Sequence, residues 1–90
     1  MEGFGWRLEL ILSNAAISKK DFWYDQYENE WILLLQGRAK ILFKEPYKLV
    51  ELGVGDQLHL APHCLHRVEE TDHHPGTIWL ALFWVEHTDS

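Results

Sequence analysis

Period-two alternation, cut about every ten residues by a turn signal, is the feature that most limits how this chain can fold. Trp6, Leu8, Leu10 and Leu12 alternate with Arg7, Glu9 and Ile11, which predicts a strand that buries one face. Ser13-Asn14 ends it. Residues 15–21 are polar or small and read as loop, in which Ala16-Ile17 could form a short strand. Residues 22–26 are aromatic and extended. Residues 30–36 and 38–44 are β-type runs around Gly37, which reads as a hairpin turn because glycine takes positive φ at little cost. Turns at 45–47 and 53–56 bracket a strand at 48–52. Short strands are expected at 57–60 and 66–70, around Pro62. Asp72-His73-His74-Pro75-Gly76 is turn-like, and residues 77–85 form the last strand. No stretch combines helical spacing with caps. The expectation is an all-β domain spanning residues 1–90, a barrel or sandwich of about eight antiparallel strands.

Composition limits the function. Apolar residues make up 47% of the 90, with five Trp, four Phe and three Tyr, enough for a packed core. A net charge of −6 leaves no basic patch to neutralise phosphates, so nucleic acid is not an expected partner. The single cysteine, Cys64, has no internal disulfide partner. The first residues have no basic, apolar leader pattern, and no apolar run approaches the roughly 20 residues of a membrane span. These features predict a soluble cytoplasmic protein with no membrane partner.

Two segments carry polar groups where buried faces are expected. In the first, Glu30 lies seven residues before Gly37, and Tyr24 and Gln26 lie six and four residues before Glu30. In the second, His66 follows Gly55 by eleven residues. This spacing resembles the two motifs of the cupin superfamily, small jelly-roll β-barrels. Glu30 falls on the motif glutamate, and Tyr24 and Gln26 occupy the places of its two histidines. Ser18 stands at the leading glycine. In the second motif Gly55 matches, Ala61 takes the proline place with Pro62 one residue late, and His63 replaces the glycine. His66 falls on the motif histidine and Glu70 replaces the asparagine. The phrases FWYDQ, ENEW and HRVE further resemble a group of small single-domain cupins. The matched region covers roughly residues 6–85. Compared with such proteins, this chain begins almost directly at a strand, which would leave one barrel edge less covered.

The resemblance implies a barrel that binds a small molecule; the alternative is a metal-dependent enzyme of oxygenase or isomerase type, and a third reading is a structural dimer. Alternation puts Tyr24 and Gln26 on one face, and Glu30 with Ile32 and Leu34 toward the interior. Gln26, Glu30 and His66 would offer an amide oxygen, a carboxylate and an imidazole to a divalent Mn, Fe, Ni or Zn ion. With both usual histidines replaced, such an ion is expected to be weakly held. The competing reading is that these groups satisfy one another around a buried water. Tyr24, Trp23 and Trp79 are the ligand-pocket candidates among the aromatics, the rest being core. His59, His63 and the His73-His74 turn are expected not to ligate, Cys64 to be an inert thiol, and Glu69-Glu70 to be a solvated edge.

Assembly is also suggested. Trp31, Leu33 and Leu35 are apolar on the face opposite Ile32 and Leu34, and the last strand is apolar on both faces. Such strands need a second covering layer, most simply another subunit, so a homodimer is expected.

Overall fold

The computed structural model describes residues 1–13, 22–71 and 76–86. They form eight strands: β1 (Glu2–Gly3), β2 (Trp6–Ser13), β3 (Asn29–Gln36), β4 (Ala39–Lys44), β5 (Tyr47–Leu52), β6 (Gln57–Leu60), β7 (His66–Thr71) and β8 (Thr77–Trp84). Every pairing is antiparallel. One sheet has the order β1-β2-β8-β3-β6 and the other β5-β4-β7. The expected all-β jelly-roll of about eight strands is what forms. Ser18, Ala16-Ile17 and the turn at 72–75, with His73-His74, lie outside the described residues. No helix among the described residues is long and apolar enough to cross a membrane.

The core sits between the sheets. Ile32 and Leu34 of β3 and Trp79, Ala81 and Phe83 of β8 pack toward Ala39 and Ile41 of β4, all at most 6% exposed. Because alternate residues point to opposite faces, these positions fix the parity of every strand in register with them. Leu8 pairs with Leu82 and Leu10 with Leu80, on the outer face, while Arg7 pairs with Phe83 and Ile11 with Trp79, on the inner one. The expectation that the first strand buries Trp6, Leu8, Leu10 and Leu12 is therefore corrected. Leu10 and Leu12 are 61% and 70% exposed, and the row with Arg7 and Ile11 lines the interior. Register with β8 overrides the local preference of leucine for the inside.

Two further details depart from the sequence pattern. The 22–26 segment contributes one isolated bridge, Tyr24 to His66, rather than a strand. β3 bulges between Leu34 and Gln36, leaving Leu35 44% exposed beside its hairpin. The turn itself depends on Gly37, at φ +83°. A Cβ there would meet the Gly76 carbonyl oxygen at 2.7 Å and Thr77 Oγ1 at 2.9 Å. Thr77 cannot easily retreat, since it is 1% exposed and its hydroxyl donates to the Arg38 carbonyl at 2.8 Å. Gly37→Ala should destabilise the protein by about 2 kcal/mol or more through both strain and clash. Gly53→Ala, whose Cβ would find only Asp56 Oδ2 at 3.7 Å, should change stability by less than about 1 kcal/mol. Urea denaturation of the two variants checks the contrast.

Candidate functional site

The register of the large sheet builds the interior wall in rows. Arg7, Phe83, Glu30 and Leu60 align across β2, β8, β3 and β6, and Ile11, Trp79 and Leu34 align four residues further along β8. The first row carries charge and the second does not. Between the sheets lies a cavity of about 400 Å³ whose lining includes Tyr24, Gln26, Glu30, His66, Arg7 and Trp79. Ile32, Ile41, Val68 and Phe83 supply much of its apolar wall. That volume is in the range of small-molecule sites.

Each polar group is held by the chain around it. Tyr24 N–H donates to the His66 carbonyl at 2.7 Å, and His66 N–H returns a bond to the Tyr24 carbonyl at 3.3 Å. The Gln26 carbonyl accepts from His63 N–H at 2.8 Å. These bonds tie the 22–26 segment to the approach of β7, and alternation then sends Tyr24 and Gln26 into the cavity wall together. Gln26 Nε2 donates to Glu30 Oε1 at 3.1 Å. His66 is 5% exposed, its ring stacked on Tyr24 at 5.5 Å and tilted against Phe43 at 6.5 Å. Its Nδ1 lies 2.7 Å from the Cys64 carbonyl. A carbonyl can only accept, so Nδ1 carries the proton and neutral His66 keeps its lone pair on Nε2.

Burial acts on both titratable groups in the direction of neutrality. It raises the Glu30 carboxyl above the ordinary carboxylate value, against the opposing Gln26 hydrogen bond and Arg7 charge. It lowers His66, against the opposing bond to Cys64. Trp79 is 6% exposed and its indole Nε1 has no hydrogen-bond partner. A buried donor left in this way costs about 1–3 kcal/mol.

Tyr24, Gln26, Glu30, His66 and Trp79 thus share one cavity wall. Trp23 is the exception among the expected ligand residues. Opposite in parity to Tyr24, its ring lies under the Arg67 guanidinium, 4.6 Å from the centroid, and near Lys44 Nζ at 5.6 Å. It braces two cations rather than lining the cavity. His59 lies on the outer face, bonded through Nε2 to Asn29 Oδ1 at 2.9 Å and stacked on Trp84. Glu70 is paired with Lys40 and Glu69 with Arg67 at the surface. Burial raises the Cys64 thiol, which disfavours the nucleophilic thiolate.

Superposition on solved structures places this geometry in a family. A protein from Ralstonia eutropha, provisionally named a mannose-6-phosphate isomerase, matches at 36% identity and a TM-score of 0.91, over 96% of this chain and 80% of its own. A Bacteroides fragilis cupin matches at 17% identity and 0.73, over 96% and 70%. The DMSP lyase of Ruegeria pomeroyi shares the fold at 16% identity and 0.75, over 98% of this chain and 42% of its own. The chain is a small cupin. No family sequence model matches it, and neither does any curated protein.

The cupin motifs account for a local oddity. His63, in the place of a motif glycine, has φ +59°, a left-handed backbone that a side chain rarely adopts. Its Nδ1 sits 2.8 Å from Asp25 Oδ1, an exposed contact that helps to hold the turn. The spacing could therefore locate the turn although the residue had changed. It could not locate Arg7, a cavity residue that lies outside both motifs. Arg7 sits 4.1 Å above the Phe83 ring and pairs with Glu28 and with Glu9, the latter at 3.2 Å. The polar half of the β2 alternation was the available signal.

Glu30 gives this cupin a pH signature. A carboxyl whose pKa is raised by folding favours the protonated native state. Its penalty on stability is absent at acidic pH below 4.5 and is fully present once pH has risen through the folded value. Glu30→Gln removes the charge but keeps an oxygen for Gln26. The variant should have a higher Tm than the unmodified protein at pH 7 and lose that advantage at pH 4. Paired thermal melts across this range check the sign; equal Tm values at pH 7 would contradict it.

Proposed function

We propose that this cupin binds a small, largely apolar, uncharged molecule inside the barrel, its polar end facing Glu30, Gln26, Tyr24 and His66. The observation that carries the reading is the division of the roughly 400 Å³ cavity into a polar first row and an apolar body. Among the described wall residues one is a permanent cation, Arg7, already engaged by Glu28 and Glu9. A phosphorylated sugar, as in the name of the Ralstonia eutropha neighbour, would find no free cation among the described wall residues. An uncharged ligand avoids that desolvation cost, and a hydrogen-bond acceptor on it would suit the unpartnered Trp79 indole. A single cysteine has no internal disulfide to call for an oxidising compartment, and we propose that the barrel works in the cytoplasm.

N-phenyl-1-naphthylamine, an uncharged fluorescent probe, tests the cavity. It should bind saturably, and Val68→Phe, which fills the apolar wall, should weaken it at least tenfold. Mannose 6-phosphate should leave Tm unchanged. Equal probe binding by Val68→Phe, or a phosphosugar that stabilises the protein, would overturn the reading.

Glu30, His66 and Gln26 are the residues that would hold a divalent Mn, Fe, Ni or Zn ion. When bound, such an ion would act as a Lewis acid toward a ligand oxygen. The fit is a weak one: His66 Nε2 is the single nitrogen of the set, and Glu30 Oε1 already accepts from the Gln26 amide nitrogen. Among the described residues no three His, Cys, Asp or Glu side chains group together. The oxygenase or isomerase alternative, which needs a firmly held ion, gains little from this set. Nickel or zinc should therefore bind with a Kd above the micromolar range. Affinity should fall as pH drops below 6.5, because Glu30 must ionise and His66 must stay neutral to ligate. Calorimetry showing tight, pH-independent binding would contradict this.

A further inference from the structure

Arg7 is the permanent cation among the described residues of the cavity wall, and two acids compete to set what its charge can do. Glu28 stands at the bend that leads into β3, and its carboxylate accepts from Arg7 Nη1 on β2. Its side chain is 13% exposed. Glu9 accepts from Arg7 Nε at 3.2 Å, with a side chain 48% exposed. That difference separates the two. Water and salt screen the field of an open carboxylate, whereas one held out of solvent keeps most of its effect. Glu28 is therefore the stronger counter-charge. From below, the Phe83 ring supports the guanidinium at 4.1 Å. Arg7 is thus fixed at the polar end of the cavity, with its charge answered from the side of β3.

We propose that Glu28 is the residue that sets the cavity's specificity: it cancels the Arg7 charge, so that the barrel takes uncharged ligands and rejects carboxylates, sulfonates and phosphates. The inference rests on the reading of the cavity as a small-molecule site and names the residue behind its preference. A guanidinium has five N–H groups, and the contacts to Glu28 and Glu9 use two of them. Arg7 can therefore still donate to a neutral ligand oxygen while its charge is compensated. An entering anion would have to displace the Glu28 carboxylate or lie beside it, and like charges repel most where water is scarce. Arrangements of this kind act on selectivity more than on raw affinity, through the repulsive element as much as the attractive one. Removing the Glu28 carboxylate reverses the preference. Arg7 would then present an uncompensated charge beside the apolar wall of Phe83 and Ile32, with only the solvated Glu9 against it.

Two fluorescent probes that differ by one sulfonate decide it: N-phenyl-1-naphthylamine and 8-anilinonaphthalene-1-sulfonate. The unmodified protein should bind the uncharged probe roughly tenfold more tightly or better. In Glu28→Gln the sulfonate should gain roughly tenfold or more, while affinity for the uncharged probe stays within about threefold. Adding Arg7→Gln to Glu28→Gln should abolish that gain. Glu51→Gln removes an equal charge from an exposed partner of Lys40 on the other sheet, and should leave the preference as it was. A Glu28→Gln protein that keeps the original preference overturns the proposal. So does a gain that survives the loss of Arg7, or a parallel gain for both probes, which would mark a loosened fold. If the uncharged probe does not bind the unmodified protein, the cavity reading falls and takes this inference with it. Should Glu28→Gln fail to fold, Glu28→Ala, which leaves no amide against Arg7, is read by the same outcomes.

Discussion

The pairing of β8 with β2 on one side and β3 on the other is the constraint on which everything else rests. β8 is apolar on both faces, so its own sequence does not choose which face turns inward. Packing chooses: Ala81, 0% exposed, and the rings of Trp79 and Phe83 close against β4. Once that face is inside, register carries the parity to the neighbouring strands. Arg7 and Ile11 must then face the cavity and Leu8 and Leu10 must face out. A slip of one residue would exchange the two rows, bringing leucines into the barrel and the Arg7 ion pairs out. Cavity and outer patch are two consequences of one register.

The polar end of the cavity has its own logic. Glu30 and His66 are both pressed toward their neutral forms by burial, against the Gln26 hydrogen bond and the Arg7 charge at Glu30 and against the bond to the Cys64 carbonyl at His66. Arg7 keeps its charge because Glu28 and Glu9 accompany it and Phe83 lies beneath it. The result is a wall that can donate and accept hydrogen bonds with little net charge. This balance is what the proposed uncharged ligand rests on, since a buried ion would need a partner of opposite charge.

Much of this was legible in the residues. The turn signals at Gly37 and at 53–56 set the hairpins, and the spacing from Tyr24 to Gly37 and from Gly55 to His66 located the cavity residues. The left-handed backbone at His63 falls on the place of a motif glycine, a signal for the turn that the sequence held although no turn was read there. What failed was the direction of β2. Its alternation is unambiguous in period but silent on which row goes inside, and the usual assumption that leucine goes in was defeated by long-range register. Trp23 failed for a related reason: its neighbours Lys44 and Arg67 come from β4 and β7, far away in sequence. Arg7 was hidden because a charged residue on a strand is ordinarily read as solvent-facing.

Amide-resolved NMR during titration with N-phenyl-1-naphthylamine tests the central assignment of faces most directly. The account predicts shifts at Arg7 and Ile11 of β2, with Glu30, His66 and Val68, while Leu49 and its β5 neighbours stay still. Shifts confined to the outer rows, at Leu10, Leu12 and Ile78, with the cavity residues unmoved, would contradict it.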